Sequence, residues 1–231
     1  MLQGYATGIF PMADSRDADE LFWVEPRNRA IIPLEKFHTS RSLRSTIRSG
    51  KFEVTRDREF AGVIAACAER EETWINAELE QAMIALHGSG NAHSIETWAG
   101  GELVGGLYGV KLGRAFFGES MFSRERDASK VALAWLVARL RAGNFTLLDC
   151  QFMTEHLASL GAVTVTRETY VALLSAALGG AAGAGAVSGA GGAPAGLPDF
   201  AALDRLLEVT GAAGAAGPAG YVISQLLGQT S

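Results

Sequence analysis

Asp149 is costly where it stands. It closes an otherwise apolar run, Phe145-Thr146-Leu147-Leu148. A carboxylate there is destabilising unless it is paired or hydrogen-bonded, so Asp149 is either a structural anchor or a working group. Gln151 lies two positions on. At the period of a strand it shares the Asp149 face, and Cys150 points the other way. Glu119 and Met121 share a face of an earlier strand in the same manner. A second grouping is cationic. Arg41, Arg44 and Arg48 fall at i, i+3 and i+7 and project from one helix face, with no acid between Lys36 and Lys51 to neutralise them. That face is either a solvated surface or a set of phosphate contacts. No Ser–His or Cys–His pair suited to nucleophilic catalysis is evident. Metal ligation by the four histidines is not expected: His93 and His156 read as structural hydrogen-bonders, His38 and His87 as exposed.

Periodicity and turn residues give the elements that must hold these groups. Ala92 to Trp98, Glu102 to Leu112 and Arg114 to Phe122 read as strands joined by the turns Ala99-Gly100-Gly101 and Gly113. Asp127 caps a helix with Leu133, Leu136, Val137 and Leu140 at helical spacing, and Gly143 ends it. Phe145 to Cys150 reads as a buried strand. Upstream come a strand at Arg29 to Pro33, a helix capped by Thr39 or Ser40 and running to Ser49, and a short strand at Phe52 to Thr55. Asp57 opens a helix with Phe60, Val63, Ile64 and Cys67 inward. Asn76 caps another, with Leu79, Met83 and Leu86 inward and Gly88 closing it. Downstream, Thr154 caps a short helix stopped by Gly161, Val163 to Thr166 is a strand, and Arg167 to Leu178 is a final helix. That helix turns Tyr170, Leu173, Leu174 and Ala177 inward. Gly179 to Gly196 is Gly/Ala-rich and reads as a flexible linker. One short helix is expected around Phe200, Leu203, Leu206 and Leu207, and an apolar patch at Tyr221 to Leu227.

The chain has 231 residues, 48 % of them hydrophobic, and a net charge of −5. That suits a globular protein with one good core and excludes a disordered or fibrous one. An acidic total argues against a general nucleic-acid binder but leaves room for a local basic patch. Cys67 and Cys150 both lie in apolar runs and read as reduced core residues of a cytoplasmic protein. Val171 to Pro198 is uncharged and long enough to cross a bilayer, but after Leu178 it is nearly all Gly and Ala, which insert poorly.

Eight short motifs, in order and in register, carry a family resemblance: Gly8-Ile9-Phe10-Pro11-Met12, Ser40-Arg41-Ser42-Leu43, Thr73-Trp74-Ile75, Ala92-His93-Ser94-Ile95-Glu96 with Leu103-Val104-Gly105-Gly106-Leu107-Tyr108-Gly109-Val110, Gly118-Glu119-Ser120-Met121-Phe122-Ser123-Arg124, Asp127-Ala128-Ser129-Lys130, Leu148-Asp149-Cys150-Gln151 and His156-Leu157-Ala158-Ser159-Leu160-Gly161-Ala162. The set resembles the bacterial leucyl/phenylalanyl-tRNA–protein transferase family over roughly Tyr5 to Leu178. The resemblance implies an α+β fold: a GNAT-type acyltransferase domain over 29–178, with a mixed central sheet flanked by helices. A small, abbreviated N-terminal domain over 1–28 precedes it, and a linker and tail over 179–231 follow. It implies an enzyme of the N-end rule that moves Leu or Phe, and Met less well, from aminoacyl-tRNA to the α-amino group of proteins beginning with Arg or Lys. Those proteins are thereby marked for degradation. It implies no cofactor, metal or membrane, and a monomer. Asp149 and Gln151 become the central pair, with Glu119 beside them: Asp149 polarises Gln151 or takes the proton itself. Leu107, Met121, Leu133, Leu136, Leu140 and Leu148 match pocket positions for the donor side chain. Trp74 is either core or a platform for the terminal adenosine. Arg41, Arg44 and Arg48 become the docking surface for the acceptor arm.

The loop that opens the central helix also bears on the donor. Enzymes of this architecture that use coenzyme A carry a Gly-rich loop whose N–H groups cradle pyrophosphate. Ser123-Arg124-Glu125-Arg126-Asp127-Ala128 has no glycine and two acids. It argues against an acyl-CoA enzyme, and Arg124, Arg126 and Lys130 remain available to a 3′ end. Two more readings compete with the transferase: an aminoacyl-tRNA-dependent enzyme building cell-wall peptides, and a non-catalytic adaptor for basic N-termini.

Overall fold

The computed structural model describes residues 1–70, 72–179, 196–213 and 216–228. The chain begins with helix α1 (Leu2–Thr7) and a two-stranded antiparallel sheet, β1 (Phe10–Met12) with β2 (Phe22–Val24). Trp23 of β2 is 45 % exposed, and its ring lies across Gly4, where a side chain would collide.

A seven-stranded mixed sheet forms the body. Its strands are β3 (Asn28–Ile32), β4 (Glu53–Arg56), β5 (Ala92–Ala99), β6 (Glu102–Leu112), β7 (Ala115–Ser123), β8 (Leu147–Gln151) and β9 (Val163–Thr166), in the order β4-β5-β6-β7-β8-β3-β9. All neighbours are antiparallel except β7 and β8. A parallel pair needs a crossover, and helix α5 (Ala128–Ala142) supplies it. On the α5 side lie α2 (Arg41–Ser49), α8 (Ala202–Val209) and α9 (Ala216–Gly228), over a core including Ile32, Leu107, Leu133, Leu136 and Leu148. On the other side lie α1, α3 (Phe60–Ala68), α4 (Ala77–Gly88) and α7 (Arg167–Ala177), over a core including Ile31, Tyr108, Phe117 and Leu147. Helix α6 (Glu155–Ser159) follows β8. Alternation splits the cores: Ile31 and Ile32, or Leu147 and Leu148, are chain neighbours on opposite faces.

Among the described residues four helix starts are capped by a side chain, including Thr166 ahead of α7. Ser40 accepts from the Leu43 amide, Asn76 from Leu79, and Thr154 from Leu157. Asp127 does not cap α5. Its φ is 68°, its side chain caps nothing, and the Ser123 hydroxyl instead accepts from the Ser129 amide. Leu173, expected inward, is 38 % exposed; Tyr170, Leu174 and Ala177 carry the buried face of α7. His87, expected exposed, is half-buried and stacked on Phe60.

The C-terminal region departs most from expectation. The linker read as flexible falls largely on 180–195, outside the described residues. Beyond it α7 is not final: α8 and α9 pack onto α5 and α2. Phe200 stacks on His93 and Phe116, and Arg139, almost fully buried, donates to the Phe200 carbonyl and to Asp204. Among the described residues no helix is long and apolar enough to cross a membrane.

Candidate active site

β7 and β8 pair only over Ala115–Leu147, Phe116–Leu148 and Phe117–Asp149. Beyond that register β7 stays with β6, β8 stays with β3, and the sheet parts between them. Glu119 lies just past the last pair on β7, opposite a register shift in β6. Gln151 lies just past it on β8. The Gln151 Nε2 spans the gap and donates to Glu119 Oε1 at 2.9 Å.

Asp149 sits behind this bridge, fully buried. Arg29 of β3 grips both its oxygens, with Nε at 2.9 and 3.0 Å and Nη2 at 2.6 Å. The Tyr170 hydroxyl donates to Oδ2 at 2.8 Å, and the Gln151 backbone amide to Oδ1 at 2.8 Å. Arg29 is itself held between the Phe10 and Tyr170 rings, 4.4 and 4.7 Å from their centroids. Burial works against its charge, but the hydrogen bonds and charge of Asp149 outweigh it and hold its pKa up. Such bidentate pairing is what makes two buried charges tolerable. The Asp149 contact also helps fix Gln151 at φ 61°, a region few non-glycine residues adopt. The strand's alternation breaks there, and the Gln151 side chain turns to the gap.

Among the described residues no cation pairs with Glu119. It accepts from Tyr5 and Gln151, both at 2.9 Å on Oε1. Burial raises its pKa to about 7 against those hydrogen bonds, with Asp149 raising it further and Arg29 opposing. Tyr5, pushed well up by burial and by Glu119, stays a neutral donor.

The parted strands frame a cavity of about 340 Å³, at the small end for ligand sites (~300–1,000 Å³). Leu107, Met121, Leu133, Leu136, Leu148, Cys150 and Leu157 give it apolar walls; Glu119 and Gln151 face it at one end, Trp74 and Arg70 at the mouth. Past Arg70, Met121 and His156 it meets an open, polar depression lined by Glu69, Ser123, Arg124 and Ser129.

The structure therefore brings together Glu119, Gln151, Leu107, Met121, Leu133, Leu136, Leu148 and Trp74. Asp149 is next to the cavity but not on its wall; Cys150, expected to face away, is on it. Asp149 touches Gln151 through the backbone amide and not through the carboxamide. Leu140 is fully buried in the core and does not line the cavity. Arg41, Arg44 and Arg48 line a groove of their own on α2. His156, expected as a structural hydrogen-bonder, lines the cavity with a buried Nε2 that has no partner among the described residues, and burial lowers its pKa, as does Lys130. Arg124 pairs with Glu69, and Lys130 and Arg126 lie near Asp127. Sequence reasoning missed Tyr5, Arg29, Arg70 and Tyr170. One signal was available for Arg29: a charge abutting the apolar run Ala30-Ile31-Ile32 is the counterpart a buried Asp149 requires.

Residues 1–27 match the model of the leucyl/phenylalanyl-tRNA protein transferase N-terminal domain, and residues 31–175 that of the leucyl/phenylalanyl-tRNA protein transferase itself. A leucyl/phenylalanyl-tRNA–protein transferase of Rhizorhabdus wittichii is 60 % identical, with all of this chain and 97 % of the relative covered. This chain belongs to the leucyl/phenylalanyl-tRNA protein transferase family. So named proteins of Zymomonas mobilis (60 % identical; 77 % of this chain, 68 % of the relative) and Novosphingobium aromaticivorans (61 %; 77 % and 69 %) are similar over shorter spans. Family membership makes the chain an aminoacyltransferase. Tyr5 lies in the first matched segment; Glu119, Asp149, Gln151 and Tyr170 lie in the second, and Arg29 falls between them. Among the described residues no group of His, Cys, Asp or Glu is arranged to hold a metal ion.

Proposed function

We propose that the chain transfers Leu or Phe, and Met less well, from aminoacyl-tRNA to the α-amino group of proteins that begin with Arg or Lys, within a GNAT-type domain. The observation that carries this reading is the charge count at the gap. Two buried carboxylates, Asp149 and Glu119, share one guanidinium, Arg29. Asp149 takes that cation in full. Glu119 is left facing the cavity and is completed by a cationic partner. A protein N-terminus bearing Arg or Lys brings two.

The donor ester is already activated, so catalysis is mainly orientation and the handling of one proton. The acceptor amine attacks the ester carbonyl; a C–N bond forms and the C–O bond to ribose breaks. Glu119, titrating near 7, accepts the ammonium proton and returns it to the departing ribose oxygen. Gln151 presents its amide oxygen to the amine while its Nε2 holds Glu119. Asp149 is a positioning residue, fixing the Gln151 backbone. The donor side chain enters the apolar walls, which discriminate weakly between similar shapes because a methylene is worth only ~1–3 kcal/mol. The depression by Arg70 and Arg124 receives the 3′ end, with Trp74 beside the terminal adenosine. Arg41, Arg44 and Arg48 contact acceptor-arm phosphates. The product is thereby directed to degradation in the cytoplasm by a monomeric enzyme.

The test is label transfer from charged Leu-tRNA to an Arg-starting peptide. The expected result is incorporation that an Ala-starting peptide does not support. Incorporation from acyl-CoA instead, or peptide binding with no transfer, overturns the reading.

A further inference from the structure

Helix α9 lies beyond the matched family segment, yet it is built into the arginine face of α2. Gly220 is the point of closest approach: a Cβ there would collide with the Ile47 carbonyl. That contact lays the next residue, Tyr221, alongside Arg48, whose guanidinium stands 5.4 Å from the ring centroid. Tyr221 is nevertheless 58 % exposed. Arg41, Arg44, Ser45, Arg48, Ser49 and Tyr221 line one groove. Its lining holds three cations, two hydroxyl-bearing serines, one aromatic ring and no acid. Among the described residues none of the three arginines has a carboxylate within ion-pairing distance; Arg44 reaches only the Thr39 hydroxyl.

We propose that α9 is part of the RNA-docking surface, its Tyr221 ring stacking an unpaired nucleobase beside phosphates held by Arg41, Arg44 and Arg48. Charge complementarity selects the occupant. A polyanion satisfies the cations, and an open aromatic ring next to a phosphate-binding row is how single-stranded RNA is held. The proposal deepens the tRNA reading above and rests on it. It also gives the C-terminal helix a role, since α9 presents a ring that α2, with no aromatic residue, cannot.

The test measures binding of deacylated tRNA to the full chain over a salt series. It compares wild type with Tyr221→Ala, Tyr221→Phe, Arg48→Ala and Gly220→Val. Transfer from a minimal aminoacyl-adenosine donor, which has no acceptor arm, is followed in parallel. Tyr221→Ala is expected to weaken tRNA binding by about five- to a hundredfold with little change in salt slope. Tyr221→Phe restores it. Arg48→Ala weakens binding and lowers the slope by about one. Gly220→Val, which forces α9 off α2, matches the loss seen in Tyr221→Ala. Gly220→Val keeps wild-type transfer from the minimal donor, which shows that its loss of tRNA binding is not a loss of the catalytic domain. Unaltered tRNA affinity in Tyr221→Ala overturns the proposal, and a salt-dependent loss confined to Arg48→Ala reduces the groove to a general polyanion surface. Tyr221-dependent tRNA binding by a wild type that transfers nothing would sink the proposed function and leave this surface standing.

Discussion

Replacing Glu119 by Gln removes an ionisation that the fold opposes. Glu119 moves from an ordinary value of 4.5 to about 7. An acid with a raised pKa stabilises the fold only while protonated. Below 4.5 both states carry the proton and the fold is at its best. Between 4.5 and 7 the unfolded chain releases the proton while the native protein keeps it, so stability falls as pH rises. At 1.36 kcal/mol per unit the loss reaches about 3 kcal/mol above pH 7. In the Glu119→Gln variant nothing at this position ionises, and the new amide oxygen can still accept from Tyr5 and Gln151.

The Glu119→Gln protein therefore escapes the loss, and its stability relative to wild type climbs by about 3 kcal/mol between pH 4.5 and pH 8. Urea unfolding of both proteins at pH 4.5, 6, 7 and 8 reads that difference, because other ionisations cancel between them. The same substitution removes the proposed proton acceptor. Transfer falls by ~10²–10⁴-fold, and the rise of kcat/KM toward pH 7 expected of the wild type disappears. A stability difference that stays flat across the series would refute the reasoning, because Glu119 would then titrate where any exposed glutamate does.

Three further outcomes rest on named contacts. Asp149→Ala strands the buried Arg29 and is expected to cost ~3–5 kcal/mol in thermal or urea unfolding; it abolishes transfer, and tRNA affinity of the folded fraction is retained. Leu133→Ala enlarges the apolar end of the cavity and shifts the ratio of kcat/KM from Leu- toward Phe-charged donors by about tenfold, measured by competition between the two charged tRNAs. Phe200→Ala removes the ring stacked on His93 and Phe116, costs ~3–5 kcal/mol, and exposes the C-terminal helices to limited proteolysis before the rest of the chain.

The strands and helices were legible where local signals were strong. β6 runs over Glu102–Leu112 and α5 over Ala128–Ala142, as hairpin glycines and helical spacing require. The Ser40, Asn76 and Thr154 caps were legible for the same reason: each is decided within four residues. What period two misjudged was Gln151. Alternation holds only while φ stays extended, and a φ of 61° breaks it, a choice fixed by Arg29, Tyr170 and Asp149 together. Contacts across 120 residues, such as Arg29 to Asp149, leave no local trace. The packing of α8 and α9 was hidden similarly: Gly220 looks like a flexible residue in sequence and is a close-approach residue in the fold.

Asp149 and Glu119 look equivalent in sequence, each an acid in a strand, and the structure separates them by what stands beside each. Arg29 belongs to β3, and β3 pairs with β8 and not with β7. The guanidinium therefore arrives on the Asp149 side of the gap, while Tyr5 and Gln151 bring Glu119 only neutral donors. Strand order thus decides which carboxylate is an ion-paired anchor and which keeps a pKa near neutrality. The position of one cation in the sheet, more than the identity of either acid, underlies the proposal that Glu119 exchanges the proton with the amine.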